Sequence, residues 1–365
     1  MKAFLRRHRG LHTAAVSLAA FIGLFYLLRQ SRGVMTFWSE RVALPWEQAL
    51  SRLCAKAPFS VAELLIALAV SAAVVWAMLL LRRLLAGPRR WEGLYEYLLG
   101  GLCAVAAVYA LFCLTWGCYY GAPTFQQRSG ITARGGTAAE LRQVTERFAA
   151  ELAALSDQVP RDENGLMNAQ RQQVMAAATA AYETLYDDYP FLAAPALSVK
   201  GIANSRIMSM CQFTGFYFPF TGEANLNMDS PVAFLGATVC HEMSHQRGVA
   251  SEQECNFLGI QGAVASPDPA CRYSGWLLGY VHLSNALYRA DRSAWQRLRD
   301  SLPEAVRLDI ACNNAYWASY RGAVQQVSDR VYEGFLHANG VTDGLQSYGT
   351  VVDMLLAYYA DIQSE

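Results

Sequence analysis

Charge is what this 365-residue chain has least of: Asp, Glu, Lys and Arg make up 16% of it, against 53% hydrophobic residues. The two signs cancel, 30 basic against 30 acidic, so nothing suggests a nucleic-acid surface and no such partner is expected. No CxxC pair occurs, and nine cysteines spread over this length are no disulfide framework. Cys103 and Cys113 lie in an apolar stretch, while Cys240 and Cys255 flank a histidine motif. Burial as small hydrophobes is the expectation for all four. Neither an internal repeat nor a low-complexity tract stands out.

So apolar a composition is unusual for a wholly soluble protein, and the excess sits in the first third of the chain. Three runs carry it, at about 11–28, 59–81 and 97–117. Each is long enough for a helix to cross about 30 Å of hydrocarbon. Only Glu63, near the start of the second, brings a charge before the runs end. The first run has no small-x-small cleavage site after it and reads as a retained anchor, not a signal peptide. Lys2, Arg6, Arg7 and Arg9 precede it, and Arg82, Arg83, Arg89 and Arg90 fill the short second connection. By the positive-inside rule both segments are cytoplasmic, so everything after Gly117 is extracytoplasmic. Arg29, Arg32, Arg41, Arg52 and Lys56 in the first connection run against this, though over a longer stretch. The expectation is a multi-pass cell-membrane protein seated in a lipid bilayer: a membrane domain over 1–120 and an extracytoplasmic domain over 121–365.

Beyond Gly117 no stretch is long and apolar enough to span. Residues 121–136, rich in Gly, Pro, Thr and Arg, read as a linker. Thr137 with Glu140 forms a capping box, and Leu141, Val144, Phe148, Leu152 and Leu155 recur at helical spacing behind it. A second helix is predicted over 169–186. Residues 197–227 lean towards strand, with Ile202, Ile207, Phe213, Phe216, Tyr217 and Phe218 broken by Gly and Pro. From Pro231 the chain again looks helical. The predicted class is α+β, mostly helical, with a small antiparallel sheet.

The chemistry concentrates between Ser230 and Gly248. Ser230-Pro231 predicts a helix start and Gly248 a helix stop. Between them, His241 and His245 stand one turn apart on one face, a spacing at which two imidazoles can reach one metal ion. Glu242 follows the first histidine, placed to act as general base on a water held at the metal. Zinc needs a third protein ligand and an open position. Ser251 stands where a third histidine of the metzincin pattern would fall, which removes that pattern. Ser251 with Glu254 suggests another capping box and a second helix, with Glu252 in its first turn and Asn256 a turn below. Glu252 is the favoured third ligand, with Asn256 orienting a histidine; Glu254, engaged as the cap's partner, is the rival.

His-Glu-x-x-His followed by Glu-x-x-x-Asn on the next helix resembles the gluzincin zinc metalloproteases. More closely, the chain resembles a bacterial membrane family known as domain of unknown function 3810. The likeness rests on the three apolar runs, Trp116-Gly-Cys-Tyr-Tyr120, Gly222-Glu-Ala-Asn-Leu-Asn227, the His241–Gly248 string with Glu252–Asn256, Tyr273-Ser-Gly-Trp, and Asp343-Gly-Leu-Gln-Ser-Tyr348-Gly. It implies a zincin-like domain holding Zn2+, acting on a peptide or protein substrate. It also implies that the stretch from Phe213 to Asn227 supplies the strand edge beside which an extended substrate lies; a place in the core suits its aromatics equally. The expected reaction is hydrolysis of a peptide bond, with Glu242 moving the proton. Tyr348 and Tyr273 are the candidates for an oxyanion donor. Cleavage within the bilayer does not fit, because the apolar run before His241 is only about ten residues, too short to cross. A non-catalytic metal-binding sensor or signalling module is the alternative.

Overall fold

The computed structural model describes residues 2–339 and 349–361. Three helices near the N-terminus are long and apolar enough to cross a membrane: α1 (Arg9–Leu28), α3 (Val61–Ala86) and α4 (Arg90–Thr115). Two of them start earlier than hydropathy predicts. The first begins at Arg9, two residues before its run, and α4 takes in Trp91, Glu92 and Glu96, because helix ends follow backbone hydrogen bonding and not hydrophobicity. At the end remote from the rest of the chain, His8 sits between Glu92 and Glu96 at 3.2 and 3.4 Å, and Arg7 also pairs with Glu92. These contacts clamp the start of α1 to α4.

Between α1 and α3 the chain does not simply loop. A helix over Arg32–Trp38 runs through a π turn at Ser39–Ala43 into α2 (Leu44–Cys54). This segment lies against the C-terminal part of the chain. Ser51 Oγ accepts from the backbone N–H of Ser198 at 2.8 Å, and Lys200 Nζ donates to the carbonyls of Cys54 and Phe59. The stretch predicted as a linker, 121–136, is also partly ordered. Thr124 and Gln127 form a reciprocal capping box for α5 (Phe125–Ser129), and Phe125 is buried.

The Thr137–Glu140 capping box opens α6 (Ala138–Leu155), as the sequence predicts, and all five expected face residues are buried. The next predicted helix is shorter, α7 (Arg171–Tyr182), followed by a single turn at Leu185–Asp188. Three strands follow: β1 (Val199–Ile202), then α8 (Ser205–Met210), β2 (Gly215–Phe218) and β3 (Glu223–Asn227). Their order is β1-β3-β2, with β3 central. The sheet is mixed, not antiparallel throughout. β2 and β3 form an antiparallel hairpin, but β1 reaches β3 only by the crossover through α8, which makes that pair parallel. β2 is therefore an edge strand, and only half of the 213–227 stretch lies at an edge.

After the sheet come α9 (Leu235–His245), α10 (Glu252–Val264), α11 (Pro269–Ala290), α12 (Glu304–Ser319), α13 (Ala323–Ala338) and α14 (Gly349–Asp361). Helices α6, α9, α10, α11 and α14 enclose one continuous core around Phe148, Leu258, Leu277 and Leu355, all fully buried. Truncating such a leucine to alanine typically costs about 2–5 kcal/mol. That packing fixes the relative placement of α9 and α10, the two helices that carry the histidine motif and its downstream carboxylates.

Candidate metal centre

The motif helix begins differently from its prediction. Ser230 donates its hydroxyl to the carbonyl of Asn227 at 3.0 Å and caps no helix; a 3-10 turn at Val232–Phe234 leads into α9 instead. The stop is as predicted. Gly248 has φ +79°, a left-handed conformation open to glycine, and a Cβ there would meet the Tyr119 ring at 2.6 Å. The residues between the second histidine and this glycine anchor the helix end. Buried Gln246 donates to the carbonyls of Ser198 and Gly222 at 2.8 and 2.9 Å, and Arg247 donates to the Tyr186 hydroxyl at 2.7 Å.

His241 and His245 lie on one face of α9 with ring centroids 5.0 Å apart. The Nδ1 atom of each is already engaged: His241 with Asn256 Oδ1 at 2.9 Å, His245 with the Val249 carbonyl at 2.8 Å. That fixes both rings so that their Nε2 atoms converge on the Glu252 carboxylate, at 3.2 and 3.6 Å. One ligand atom from each of the three side chains lies within 4.8 Å of the other two. Two imidazoles and one carboxylate, with the remote ring nitrogens oriented by hydrogen bonds, form a donor set that suits a divalent ion of the zinc type and leaves a position free. Chemistry and placement fit the group.

Glu242 adds the observation that such a site needs. It is 3% exposed, and its Oε2 has no hydrogen-bond partner although it borders the same cleft as the two histidines. Burial pushes its carboxyl up to about 7, against the pull of the neighbouring imidazoles. Gly215 of β2 makes room for it: a Cβ at that position would stand 2.5 Å from Glu242 Oε1. The cleft is about 540 Å³ and is walled by β2 on one side and by Trp116, Tyr120, Tyr332 and Phe335 on another. A second cavity of about 590 Å³ shares His241, Asn256 and Thr214 with it and continues towards His282 and Asn285.

The competing carboxylate has a different task. Ser251 accepts from the Glu254 backbone N–H, but the Glu254 side chain does not return to Ser251. It accepts instead from the backbone N–H groups of Phe125 and Gln126, at 3.0 and 3.1 Å, and so holds the start of α5. Only half of the predicted capping box forms. Tyr273 is not brought to the site either: it is fully buried in α11 and donates to Asp309 at 2.6 Å. Tyr348 lies outside the described residues.

Sequence reasoning missed several contributors. Tyr332 on α13 donates to Glu252 Oε1 at 2.5 Å, and burial followed by the Glu252 charge holds its phenol well above the usual range. The Trp116 ring meets His245 edge-on at 5.7 Å, and Cys255 Sγ lies 3.3 Å from His245 Nδ1. Nothing in the spacing of Tyr332 points to Glu252, 80 residues earlier. Cys240 and Cys255 are fully buried, the expectation for both.

A model of the family described as "Protein of unknown function (DUF3810)" matches residues 38–356, and the chain belongs to that family. No curated protein and no solved structure matches it.

Proposed function

We propose that this DUF3810-family chain is a membrane-anchored, zinc-dependent metallopeptidase with its catalytic residues in a zincin-like extracytoplasmic domain. The observation that carries the reading is the convergence of His241 Nε2, His245 Nε2 and the Glu252 carboxylate beside a buried glutamate with an unpartnered oxygen. When bound there, zinc supplies Lewis-acid polarisation of a scissile carbonyl and brings the pKa of water down to about 7.

The chain's own residues do the rest. Asn256 and the Val249 carbonyl hold the ligand tautomers. Glu242, raised by burial into the neutral range, accepts a proton from the attacking water and returns it to the leaving amine. A cation in the trio would lower its pKa, leaving the carboxylate, the proton-accepting form, dominant at neutral pH. The free edge of β2 borders the cleft and can pair with an extended peptide through main-chain hydrogen bonds, tolerating varied side chains. Tyr332 donates its one hydroxyl proton to Glu252 Oε1 and so orients the third ligand; turned away from Glu252, the same hydroxyl would serve a developing oxyanion, the role expected of Tyr273 or Tyr348.

The test separates binding from chemistry. Full-length Glu242→Gln should retain one zinc per chain by elemental analysis and lose about 10²–10⁴-fold in turnover of a mixed peptide library. His241→Ala should lose the metal itself. Unchanged turnover in Glu242→Gln would refute the assignment. Stoichiometric zinc in the wild-type chain without any turnover would favour a metal-binding sensor.

A further inference from the structure

The cleft beside the metal ligands and the apolar helices share residues. Phe112 belongs to α4, one of the three membrane-length helices, yet it lines the cleft together with Trp116 and Tyr120 just beyond that helix. Aromatic rings of this kind collect where a span leaves the hydrocarbon. The domain-side ends of the three helices all touch the cleft's surroundings. Arg29, directly after α1, donates to the Asn339 carbonyl at the end of α13. Glu63, in the first turn of α3, accepts from the backbone N–H groups of Ala203 and Asn204 at 2.9 Å each, immediately before α8. Phe335 of α13 packs on Phe112 at 5.5 Å and on Tyr120 at 6.3 Å.

Both elements tied to those ends expose apolar side chains. On α13, Val324, Val327 and Val331 are 46%, 59% and 69% exposed, while Gln326, Arg330, Glu333 and His337 occupy the arc next to them, so the exposed side of the helix is half apolar and half polar. On α8, Ile207 and Met210 are 57% and 38% exposed. The two elements adjoin: Ser328 donates to the Cys211 carbonyl at 3.1 Å, and the Phe213 and Tyr332 rings meet at 5.8 Å. Among the described residues nothing covers this apolar rim; lipid continuing from around the neighbouring helices would cover it.

We infer that α8 and α13 rest in the outer layer of the bilayer, and that the cleft takes the juxtamembrane segment of a membrane-embedded polypeptide. This rests on the metallopeptidase reading for the cut but not for the docking. A segment leaving the membrane beside Phe112 can run along β2 within a few residues of its own span towards the ligand trio. The aromatic walls, with Phe216, Phe218 and Phe220 on the β2 side, suit the apolar and aromatic residues that flank spans.

The experiment uses full-length Glu242→Gln in nanodiscs with zinc, carrying a diazirine amino acid in place of Phe220. The probe is a polyleucine span bearing a mixed-sequence segment, attached either directly or through a stiff helical spacer of about 40 residues, roughly 60 Å at ~1.5 Å per residue. Capture of the directly attached segment should fall to background with the spacer. Equal capture of both, or of neither, overturns the inference. A diazirine at Val327 should yield several-fold more lipid adduct than one at Arg297, on the polar helix Arg292–Ser301; equal yields overturn the bilayer contact. The two readings fail separately. Near-membrane capture without cleavage by the wild-type chain removes the peptidase and keeps the docking. Cleavage of soluble and spaced segments as readily as attached ones keeps the peptidase and removes the docking.

Discussion

Gly215→Ala places one methyl group against the proposed general base and touches no ligand. The added Cβ would stand 2.5, 2.7 and 2.9 Å from Glu242 Oε1, Cγ and Cδ, where ordinary contact begins at 3.4 Å. The Glu242 carboxylate must therefore retreat by about 0.9 Å. At 3% exposure it has little solvent to move into. A shift of about 1 Å in a reacting group costs on the order of 10²-fold in rate, or about 2.7 kcal/mol of barrier. The three atoms nearest the new methyl all belong to Glu242, so the histidines and Glu252 keep their places and zinc content should not change. Elemental analysis and turnover of a mixed peptide library, measured on the same full-length sample in nanodiscs, check both halves. Turnover at the wild-type level with zinc retained would show that Glu242 does not act from its position against β2. Lost zinc would show that the steric effect is not confined to the base.

Three further outcomes follow from the same geometry. Glu252→Ala should abolish stoichiometric zinc, whereas Glu254→Ala should retain it and lose about 1–3 kcal/mol of stability, because the buried backbone N–H of Phe125 and the partly buried one of Gln126 at the start of α5 lose their acceptor; full zinc in Glu252→Ala removes that residue from the ligand set. Asn256→Ala should weaken zinc affinity about 10–100-fold in a competitive chelator titration, with the trio itself intact; unchanged affinity would mean that His241 is oriented by something else. Glu47, in α2, is 1% exposed, accepts from Tyr119 at 2.9 Å, and is pushed well above 4.5 by burial. A carboxyl with a raised folded-state pKa binds more protons folded than unfolded, so its contribution to stability falls as pH rises above about 4.5. Thermal unfolding at pH 5 and pH 8 should show the wild-type chain losing stability relative to Glu47→Gln at the higher pH, and a pH-independent difference would contradict the burial argument.

Local sequence determined much of what was legible. The three apolar runs, the Thr137–Glu140 cap with its five-residue face, the stop at Gly248 and the one-turn spacing of His241 and His245 each depend on neighbours within a few positions. Helical periodicity and capping express themselves at that range. Placement of Glu252 and Asn256 on the following helix is of the same kind, since only seven and eleven residues separate them from His245. What local pattern could not decide was decided by packing between distant segments. Ser230 has the chemistry of a helix cap, but its hydroxyl goes to Asn227; Glu254 has the chemistry of a capping-box partner, but α5, 129 positions earlier, takes its carboxylate. The crossover through α8 made the sheet mixed and left β2 at its edge. Tyr332, Trp116 and the Gly215 contact with Glu242 reach the site from α13, the end of α4 and the sheet. Such contacts are set by the shared core of α6, α9, α10, α11 and α14 and by the seating of the domain on the apolar helices. Side-chain chemistry is written in the order of residues, but its partners are chosen only when the chain closes on itself.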